Sequence, residues 1–313
     1  MTKLALVLAG LVVLSPIATG QIGVNSAVHV TAAAASLVTA GLAESVPADA
    51  ASYEPVAAPS VRNAPNTSGY AQVTLAPWVE SNGWRYARGL RKANYHALPR
   101  GSAGLAAAET YVFGVQSIVD PDPADVEDLG SVLRFIKAHE APPLPPVSNL
   151  GVIDDGTPAM AEVLNMLTRR NLLYRVFAPS DEKVGASLFK LLLKLGSQDF
   201  PRELAGNPSD LAARVREKLG DANRLVRVFG TSTVVARVMG DGARERVFLL
   251  SYARSRGSQP DVRVSVLGKW PAVTLGAYGA PADAKAIDVQ VLDRTTEFTL
   301  PAFNTLAIVD LKK

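Results

Sequence analysis

The sequence predicts an α+β protein in which an α/β domain precedes an antiparallel β-sandwich. Two apolar segments, 149–153 and 171–177, enclose a helical segment that starts at Pro158. Strand, helix and strand in this order are typical of a parallel sheet. After residue 230, apolar and polar residues alternate in several short segments, around a Gly240-Asp241-Gly242 turn. Such alternation predicts strands with one buried face, as in a sandwich.

Composition excludes several classes of protein. The chain has 313 residues, enough for two domains. With 48% hydrophobic residues and a net charge of +3, it is not a disordered chain. The absence of cysteine excludes disulfides, cysteine nucleophiles and cysteine metal clusters. An excess of three positive charges is too small to indicate a nucleic-acid partner, so none is expected.

The amino terminus has the layout of a secretory signal peptide, which we assign to residues 1–20. Lys3 is the single charged residue of the first 43, and the apolar stretch Leu4–Leu14 follows it. Small residues then surround Thr19, as a signal peptidase requires. The apolar stretch is shorter than the roughly 20 residues that span a bilayer. We therefore expect a secreted, periplasmic or cell-envelope protein with no stable membrane span after removal of the leader.

The remaining chain is divided by composition. Residues 21–70 are rich in Ala and Pro and read as a linker, although 27–43 could form a short surface helix, a poorly ordered lead or part of the export segment. Residues 71–140 contain two helical patterns, from Ser102 and from Pro123. Four prolines in residues 141–146 mark a boundary. The α/β domain then covers 147–229, with helices at 184–195 and 209–219 and a strand at 225–229, and the sandwich covers 230–313.

The order of these segments resembles a known family. A helix of small residues (AGLAAAETYVFG), an amphipathic helix (VEDLGSVLRFIKAHE), the proline run and the α/β unit (LGVIDDG…AEVLNMLTRRNLLYRVF) precede a β-module, which runs from RVFLLSYAR to TEFTLPAFNTLAIVDL. From Trp78 onward this resembles the rear half of multidomain glycoside hydrolases of the β-galactosidase type. There the end of a (β/α)8 barrel leads into a glutamine-amidotransferase-like (flavodoxin-like) α/β domain and a small β-domain. The resemblance implies that 71–140 is a barrel remnant.

The departures from that family bear on activity. Fewer than about 70 residues could represent a barrel that needs about 250. The paired carboxylates of a glycosidase lie on barrel strands, and none of those strands can be assigned. Without cysteine, glutaminase chemistry by a Cys–His pair is impossible. In the similar enzymes this α/β domain has a structural role or a role in oligomerisation. The resemblance therefore implies a carbohydrate-linked ancestry rather than cleavage.

Two adjacent carboxylates are the first candidate ligand-binding residues. Asp154 and Asp155 follow the first α/β strand, and ligands of open α/β sheets bind beyond such strand ends. The pair could hold a cation or a sugar hydroxyl. The alternative is a turn in which one Asp caps the helix that starts at Pro158.

An aromatic cluster is the second candidate, because aromatic faces and charged neighbours suit sugar rings. Its ligand-binding members are Trp78, Trp84, Arg85 and Tyr95. The alternative is that these rings pack on a domain core. For an enzyme, the weak catalytic candidates are Glu80, His96 and Asp154, since such side chains exchange protons. The arginines at 169, 170, 224, 227 and 237 alternate with acids along the chain and are interpreted as a solvated face.

These observations favour an exported, non-catalytic protein with a carbohydrate-associated binding or assembly role. Its partner would be a polysaccharide or glycan, and homo-oligomerisation stays open. The alternatives are a divergent glycoside hydrolase that uses carboxylates, and a structural envelope protein. The sequence contains no GxSxG, HExxH or metal-ligand histidine spacing, so neither a cofactor nor a metal is predicted.

Overall fold

The described part of the chain comprises residues 27–63, 77–253 and 261–313 of a computed structural model. The signal-peptide assignment and part of the predicted linker lie outside the described residues. Within the described ranges, no helix combines the length and the apolar character that crossing a bilayer requires.

The described elements alternate between helices and strands up to residue 229 and are strands from there on. The helices are α1 (Ala35–Thr39), α2 (Gly83–Arg88), α3 (Ala103–Phe113), α4 (Val126–Ala138), α5 (Pro158–Arg169), α6 (Glu182–Leu188) and α7 (Pro208–Leu219). The first strands are β1 (Val28–Val30), β2 (Glu44–Ser45), β3 (Glu54–Pro55), β4 (Ser60–Asn63), β5 (Pro77–Glu80), β6 (Lys92–Tyr95), β7 (Gln116–Val119), β8 (Leu150–Ile153), β9 (Tyr174–Phe177) and β10 (Leu191–Leu193). The remaining strands are β11 (Val226–Phe229), β12 (Val234–Gly240), β13 (Arg244–Ser251), β14 (Val262–Leu267), β15 (Ala272–Ala277), β16 (Ile287–Val291), β17 (Thr295–Leu300) and β18 (Leu306–Lys312).

The first sheet is parallel throughout, in the order β2-β1-β7-β6-β3. The predicted helices from Ser102 and Pro123 are confirmed as α3 and α4. Every residue of α3 is buried. Its run of alanines allows this, because small side chains let a helix approach its neighbours on all sides. The helix lies between the first sheet and the β-sandwich, where Tyr111 contacts Phe248 of β13 edge to face.

The linker prediction fails over residues 27–63, which contribute β1 to β4. Val28 and Val30 are buried between β2 and β7. Leu37 of α1 is buried as well and lies against Gly130 of α4, where an added Cβ would come within 2.8 Å of it. Composition missed these elements because each strand is only two to four residues long and is surrounded by Ala, Ser and Pro.

The second sheet is also parallel, in the order β10-β8-β9, and α5 connects β8 to β9. The predicted strand–helix–strand unit is confirmed. The predicted helix at 184–195 is wrong in its second half, because α6 ends at Leu188 and β10 begins at Leu191. A short apolar run such as this one fits a buried strand as well as a helix, so periodicity could not separate the two.

The two sandwich sheets are antiparallel. The outer sheet has the order β11-β14-β17-β16, and the inner sheet has the order β12-β13-β18-β15. One face of the inner sheet packs on the outer sheet and the other packs on α3, so β13 is buried on both faces. The sequence missed β15 and assigned 225–229 to the α/β domain, whereas β11 pairs with β14 in the sandwich.

A side chain covers the first part of the outward edge of β12. Asn171 donates its side-chain N–H to the Val234 carbonyl (3.1 Å) and accepts from the Ala236 N–H (2.7 Å). Asn171 lies at φ +54°, a left-handed conformation that Asn tolerates better than most residues. One amide therefore replaces the neighbouring strand that β12 lacks at this end.

The proline run covers the rest of the β12 edge. Val147 donates its N–H to the Val238 carbonyl (2.9 Å), and Gly240 donates to the Pro145 carbonyl (2.8 Å). Proline has no N–H, so it is tolerated beside an edge where only its carbonyl is used. The segment that the sequence predicts to be a stiff spacer thus lies along the inner sheet.

A buried carboxylate connects the first sheet, α3 and the sandwich. Glu109 of α3 is 0% exposed. Its carboxylate accepts from the Tyr252 hydroxyl at 2.6 Å and from the Ser81 hydroxyl at 2.8 Å. The other donors are the Asn82 backbone N–H (2.8 Å), the Asn82 side-chain amide (3.3 Å) and the Tyr95 hydroxyl (3.0 Å). These residues come from the β5–α2 loop, β6 and the end of β13.

The hydrogen bonds extend one residue further, to α2. The Tyr86 hydroxyl lies within hydrogen-bond distance of the Tyr95 hydroxyl, which in turn donates to Glu109. Burial raises the pKa of the Glu109 carboxyl, and the hydrogen bonds from Tyr252 and Ser81 oppose that rise. Burial also holds the pKa of both tyrosines well above the ordinary value, so they stay protonated and available as donors.

We expect Glu109→Ala to lower the free energy of unfolding by about 3–5 kcal/mol, because several buried donors lose their acceptor at once. Thermal or urea unfolding followed by circular dichroism measures the change. Glu203→Ala, which removes an exposed carboxylate, is the matched control and should shift stability by less than about 0.5 kcal/mol. Equal stabilities of the two variants would contradict the structural role of Glu109.

A second carboxyl gives the sandwich a pH dependence. Glu245 of β13 is half-buried, and burial raises its pKa from 4.5 to about 7 while Lys313 acts in the opposite direction. A carboxyl with a raised folded-state pKa stabilises the fold fully below its unfolded pKa, and that stabilisation is lost as pH rises through the folded pKa. Between pH 5 and pH 8 the wild type should therefore lose about 1–2 kcal/mol relative to Glu245→Gln, after allowance for its partial exposure. Unfolding free energies that differ by the same amount at both pH values would refute this.

Candidate functional site

The two tryptophans of the predicted aromatic cluster pack on the α/β unit. Trp78 in β5 and Trp84 in α2 are half-buried and lie against the core beneath α5 and α7. The Arg169 guanidinium lies 3.4 Å from the centroid of the Trp78 ring, and that of Arg85 lies 4.5 Å from the centroid of the Trp84 ring. Cation–π contacts therefore occupy one face of each ring. This arrangement favours the packing alternative over an open sugar-stacking surface.

The two predicted aspartates form part of a turn. Arg88 of α2 binds Asp154 through two hydrogen bonds, from Nε to Oδ2 (2.5 Å) and from Nη2 to Oδ1 (2.7 Å), and holds the pKa of that carboxyl below its ordinary value. Asp155 accepts from the Thr157 hydroxyl (2.6 Å) and from Arg202 (3.2 Å). The cap of α5 is Thr157, whose hydroxyl accepts from the Met160 N–H at 3.2 Å. The capping residue is therefore Thr157 rather than either aspartate.

The structure brings some of the predicted residues together and separates others. Trp84 and Arg88 lie one turn apart on α2, so the aromatic cluster and Asp154 meet on the same side of that helix. The prediction of Tyr95 as a ligand-binding residue is wrong, because its side chain is 0% exposed and belongs to the Glu109 network. Glu80 is half-buried at the end of β5, and His96 is exposed after β6.

A cavity of about 530 Å³ lies on the other side of α2. Its first wall consists of Tyr86 and Ala87 of α2 with Phe113 of α3. Residues 172–176 of the α/β unit form the second wall, and residues 236–238 and 240 of β12 with the end of the proline run (145–146) form the third. Ligand cavities have volumes of about 300–1,000 Å³ and often lie where separate parts of a fold meet. This cavity is therefore the main candidate functional site.

Three arginines line the cavity. Arg237 of β12 projects its guanidinium over the Phe113 ring, 4.5 Å from the centroid. Its Nε atom is buried and has no hydrogen-bond partner. Burial lowers the pKa of Arg237 to about 10, and the positive charge of Arg91 adds to that effect. Arg91 is exposed at the rim, and Arg175 is half-buried in the second wall.

The other polar groups of the cavity are hydroxyls. Tyr174 lies within hydrogen-bond distance of the Thr168 hydroxyl (2.9 Å) and of the Leu164 carbonyl (3.2 Å). Burial raises the pKa of Tyr174, so its hydroxyl stays protonated. Of the described residues that line the cavity, none is Asp, Glu, His or Cys. The cavity can therefore bind a ligand through positive charge, hydroxyls and apolar surface, whereas it lacks the carboxylate pair of a glycosidase.

The described residues also contain no group of three or more His, Cys, Asp and Glu side chains that could hold a metal ion.

The sequence interpretation of Arg237 as part of a solvated face is corrected by its position in the cavity wall. A signal was present in the segment VVARVM, where one arginine interrupts an apolar run. The cavity itself has no local signal, because its walls come from segments as far apart as Tyr86 and Arg237.

The solved structures that are similar to the chain include the following three. An α-L-fucosidase (isoenzyme 2) from Paenibacillus thiaminolyticus has a TM-score of 0.53 at 10% identity, and the match covers 74% of this chain and 62% of that one. A β-galactosidase from Rahnella sp. R3 has a TM-score of 0.44 at 10% identity, with coverages of 74% and 57%. A GH42 β-galactosidase from G. stearothermophilus has a TM-score of 0.41 at 10% identity, with coverages of 78% and 58%.

The chain thus has a glycoside hydrolase-like fold, and the likeness to the fucosidase carries this statement. Of the expected resemblance, the glycoside hydrolase-like fold is confirmed, while the β-galactosidase type and the order of its domains stay predictions. The chain spans less than two thirds of the fucosidase. The sequence itself matches no protein-family model and no curated protein.

The Arg88–Asp154 pair gives a testable prediction, because it anchors α2 to the α/β unit beside the cavity. In a double-mutant cycle with Arg88→Ala and Asp154→Ala, we expect a coupling energy of about 1–2 kcal/mol, since both side chains are largely buried and the contact is bidentate. The matched control is the exposed pair Lys194–Glu182, for which about 0–0.5 kcal/mol is expected. A coupling energy for Arg88–Asp154 no larger than that of the control would disprove the anchoring role.

Proposed function

We propose that the protein is an exported, non-catalytic carbohydrate-binding protein whose ligand occupies the cavity beside α2. The cavity has the size of a small-molecule site, combines aromatic surface with hydrogen-bond donors, and has no carboxyl group among its described lining residues. The last of these observations carries the proposal. Glycoside hydrolysis uses two carboxyl groups about 5–10 Å apart, so a cavity without them favours binding over cleavage.

Carbohydrate is proposed as the ligand class because the fold is similar to that of an enzyme named as an α-L-fucosidase. Aromatic and aliphatic side chains of the walls offer surface to the C–H face of a sugar ring, and the guanidinium groups offer donors to its hydroxyls. Export is proposed from the signal-peptide pattern of residues 1–20. A secreted, periplasmic or cell-envelope location would bring the protein to extracellular glycans.

We further propose the domain assignment that the sequence suggests. The first sheet and its helices would be a barrel remnant, which is supported by its all-parallel strands. The β10-β8-β9 unit would be the glutamine-amidotransferase-like domain, and the two antiparallel sheets would be the β-domain. The cavity then lies where all three meet.

Binding in the cavity can be tested by filling it. Ala87 of α2 lines the cavity and is half-buried, so Ala87→Trp places a large ring inside it. We expect this variant to bind saccharides at least tenfold more weakly than the full-length wild type in a glycan array followed by calorimetry. Ala138→Trp, at the exposed end of α4, is the control and should bind like the wild type.

The same experiment distinguishes binding from hydrolysis. It also shows whether saccharides bind in the cavity or on the surface around Trp84. We expect no release of reducing sugar from any bound saccharide. Release that Asp154→Asn abolishes would favour the glycosidase alternative and overturn the proposal. Undiminished binding by Ala87→Trp, together with loss of binding by Trp84→Ala, would overturn the cavity as the site. Absence of binding to every saccharide would overturn the carbohydrate proposal as a whole.

A further inference from the structure

The cavity has an uncompensated positive charge. Arg91, Arg175 and Arg237 line it, while none of its described lining residues is acidic. Arg237 is half-buried, its guanidinium lies over the Phe113 ring, and its Nε atom is buried without a hydrogen-bond partner. Arg237 differs in this from Arg88, which binds Asp154, and from Arg246, which binds Asp310.

A half-buried guanidinium whose Nε–H group has no acceptor is energetically unfavourable. Full burial of a charge costs several kcal/mol per ion, and partial burial costs a fraction of that. The contact with Phe113 supplies a cation–π attraction, which is worth about 0.5–2 kcal/mol. A ring face cannot accept the in-plane Nε hydrogen bond, so that group stays unsatisfied. Arg91 lines the same cavity and repels Arg237, which lowers the pKa of Arg237 in the same direction as burial does.

An anionic ligand would compensate the charge of Arg237, accept the hydrogen bond of its Nε–H group and offset the repulsion from Arg91. A carboxylate placed beside Arg237 would accept hydrogen bonds in the fork geometry that guanidinium and carboxylate share. Its negative charge would offset the repulsion between Arg91 and Arg237. The aromatic rings of Phe113 and Phe189 line the same cavity and can accommodate the apolar face of the remaining molecule.

We infer that the ligand of this cavity is an acidic saccharide, in which a sugar carboxylate of the uronate type pairs with Arg237. The inference rests on the proposed function and adds the substrate class of the same site. Arg91 at the rim and Arg175 in the second wall contribute positive charge around the pairing position, and the ring lies between the aromatic and aliphatic walls. Arg237 is the residue that selects acidic over neutral sugars.

The test compares matched sugars on the full-length protein by isothermal titration calorimetry. The probes are galacturonate and glucuronate oligosaccharides, the corresponding neutral galactose and glucose oligosaccharides, and galactose 6-phosphate. We expect the wild type to bind the uronates at least tenfold more tightly than the neutral sugars. In Arg237→Met, which retains the volume but not the charge, that preference should fall to less than threefold while binding of neutral sugars persists. Arg134→Met, an exposed arginine of α4, should leave the preference unchanged.

A second measurement tests the inference without any ligand. Removal of this half-buried charge, whose Nε–H group has no acceptor, should raise the melting temperature of the ligand-free protein. Arg237→Met should therefore melt at least 2 °C above the wild type, whereas Arg134→Met should melt within 1 °C of it. A lower melting temperature for Arg237→Met would overturn the inference.

The remaining outcomes separate this inference from the proposed function. Equal affinity of the wild type for neutral and acidic sugars would overturn the acidic class and leave carbohydrate binding intact. An uronate preference that survives Arg237→Met would overturn the role of Arg237. Tighter Arg237-dependent binding of the sugar phosphate than of the uronates would overturn the carboxylate. Failure of every probe to bind would overturn both proposals.

Discussion

The carboxylate of Glu109 is the constraint on which the remaining structure depends. It is fully enclosed and accepts hydrogen bonds from groups on the β5–α2 loop, on β6 and at the end of β13. A buried charge is stable only while its donors stay in place, so these separate segments are held at fixed distances from α3. Tyr86 joins the network through Tyr95, and Tyr86 also lines the cavity. The polar centre of the fold and the candidate site are therefore linked through a single tyrosine.

The short helix α2 contacts the α/β unit with one side and lines the cavity with the other. One side carries Trp84 and Arg88 towards the α/β unit, where Arg88 binds Asp154. Residues 86 and 87 contribute to the cavity. At its start, Gly83 leaves room for the Phe113 ring, since an added Cβ would overlap with that ring. The cavity wall is thus determined by packing and by an ion pair as well as by the Glu109 network.

The sequence predicted those parts of the fold in which a pattern repeats. The stripes of α3, α4 and α5 and the alternation of the sandwich strands extend over enough residues to be recognised. The short strands β1 to β3 were missed because two or three residues give no period, and β10 was taken as helix because its apolar run fits both structures. Glu109 looked like an ordinary helical glutamate, because burial depends on partners more than 25 residues away in the chain. The convergence of Tyr86, Tyr174 and Arg237 likewise depends on tertiary structure, so of the candidate site only the unusual arginine in β12 could have been noticed.

The covered edge of β12 has a consequence for the behaviour of the protein in solution. An open strand edge recruits strands from other molecules and leads to aggregation. Here Asn171 and the proline run already occupy the outward peptide groups of β12, so this edge offers no template for intermolecular pairing. The proline run also forms part of the cavity wall. The segment that covers this strand edge is therefore also part of the candidate site, and a sequence change in it alters the protection of the edge and the shape of the cavity together.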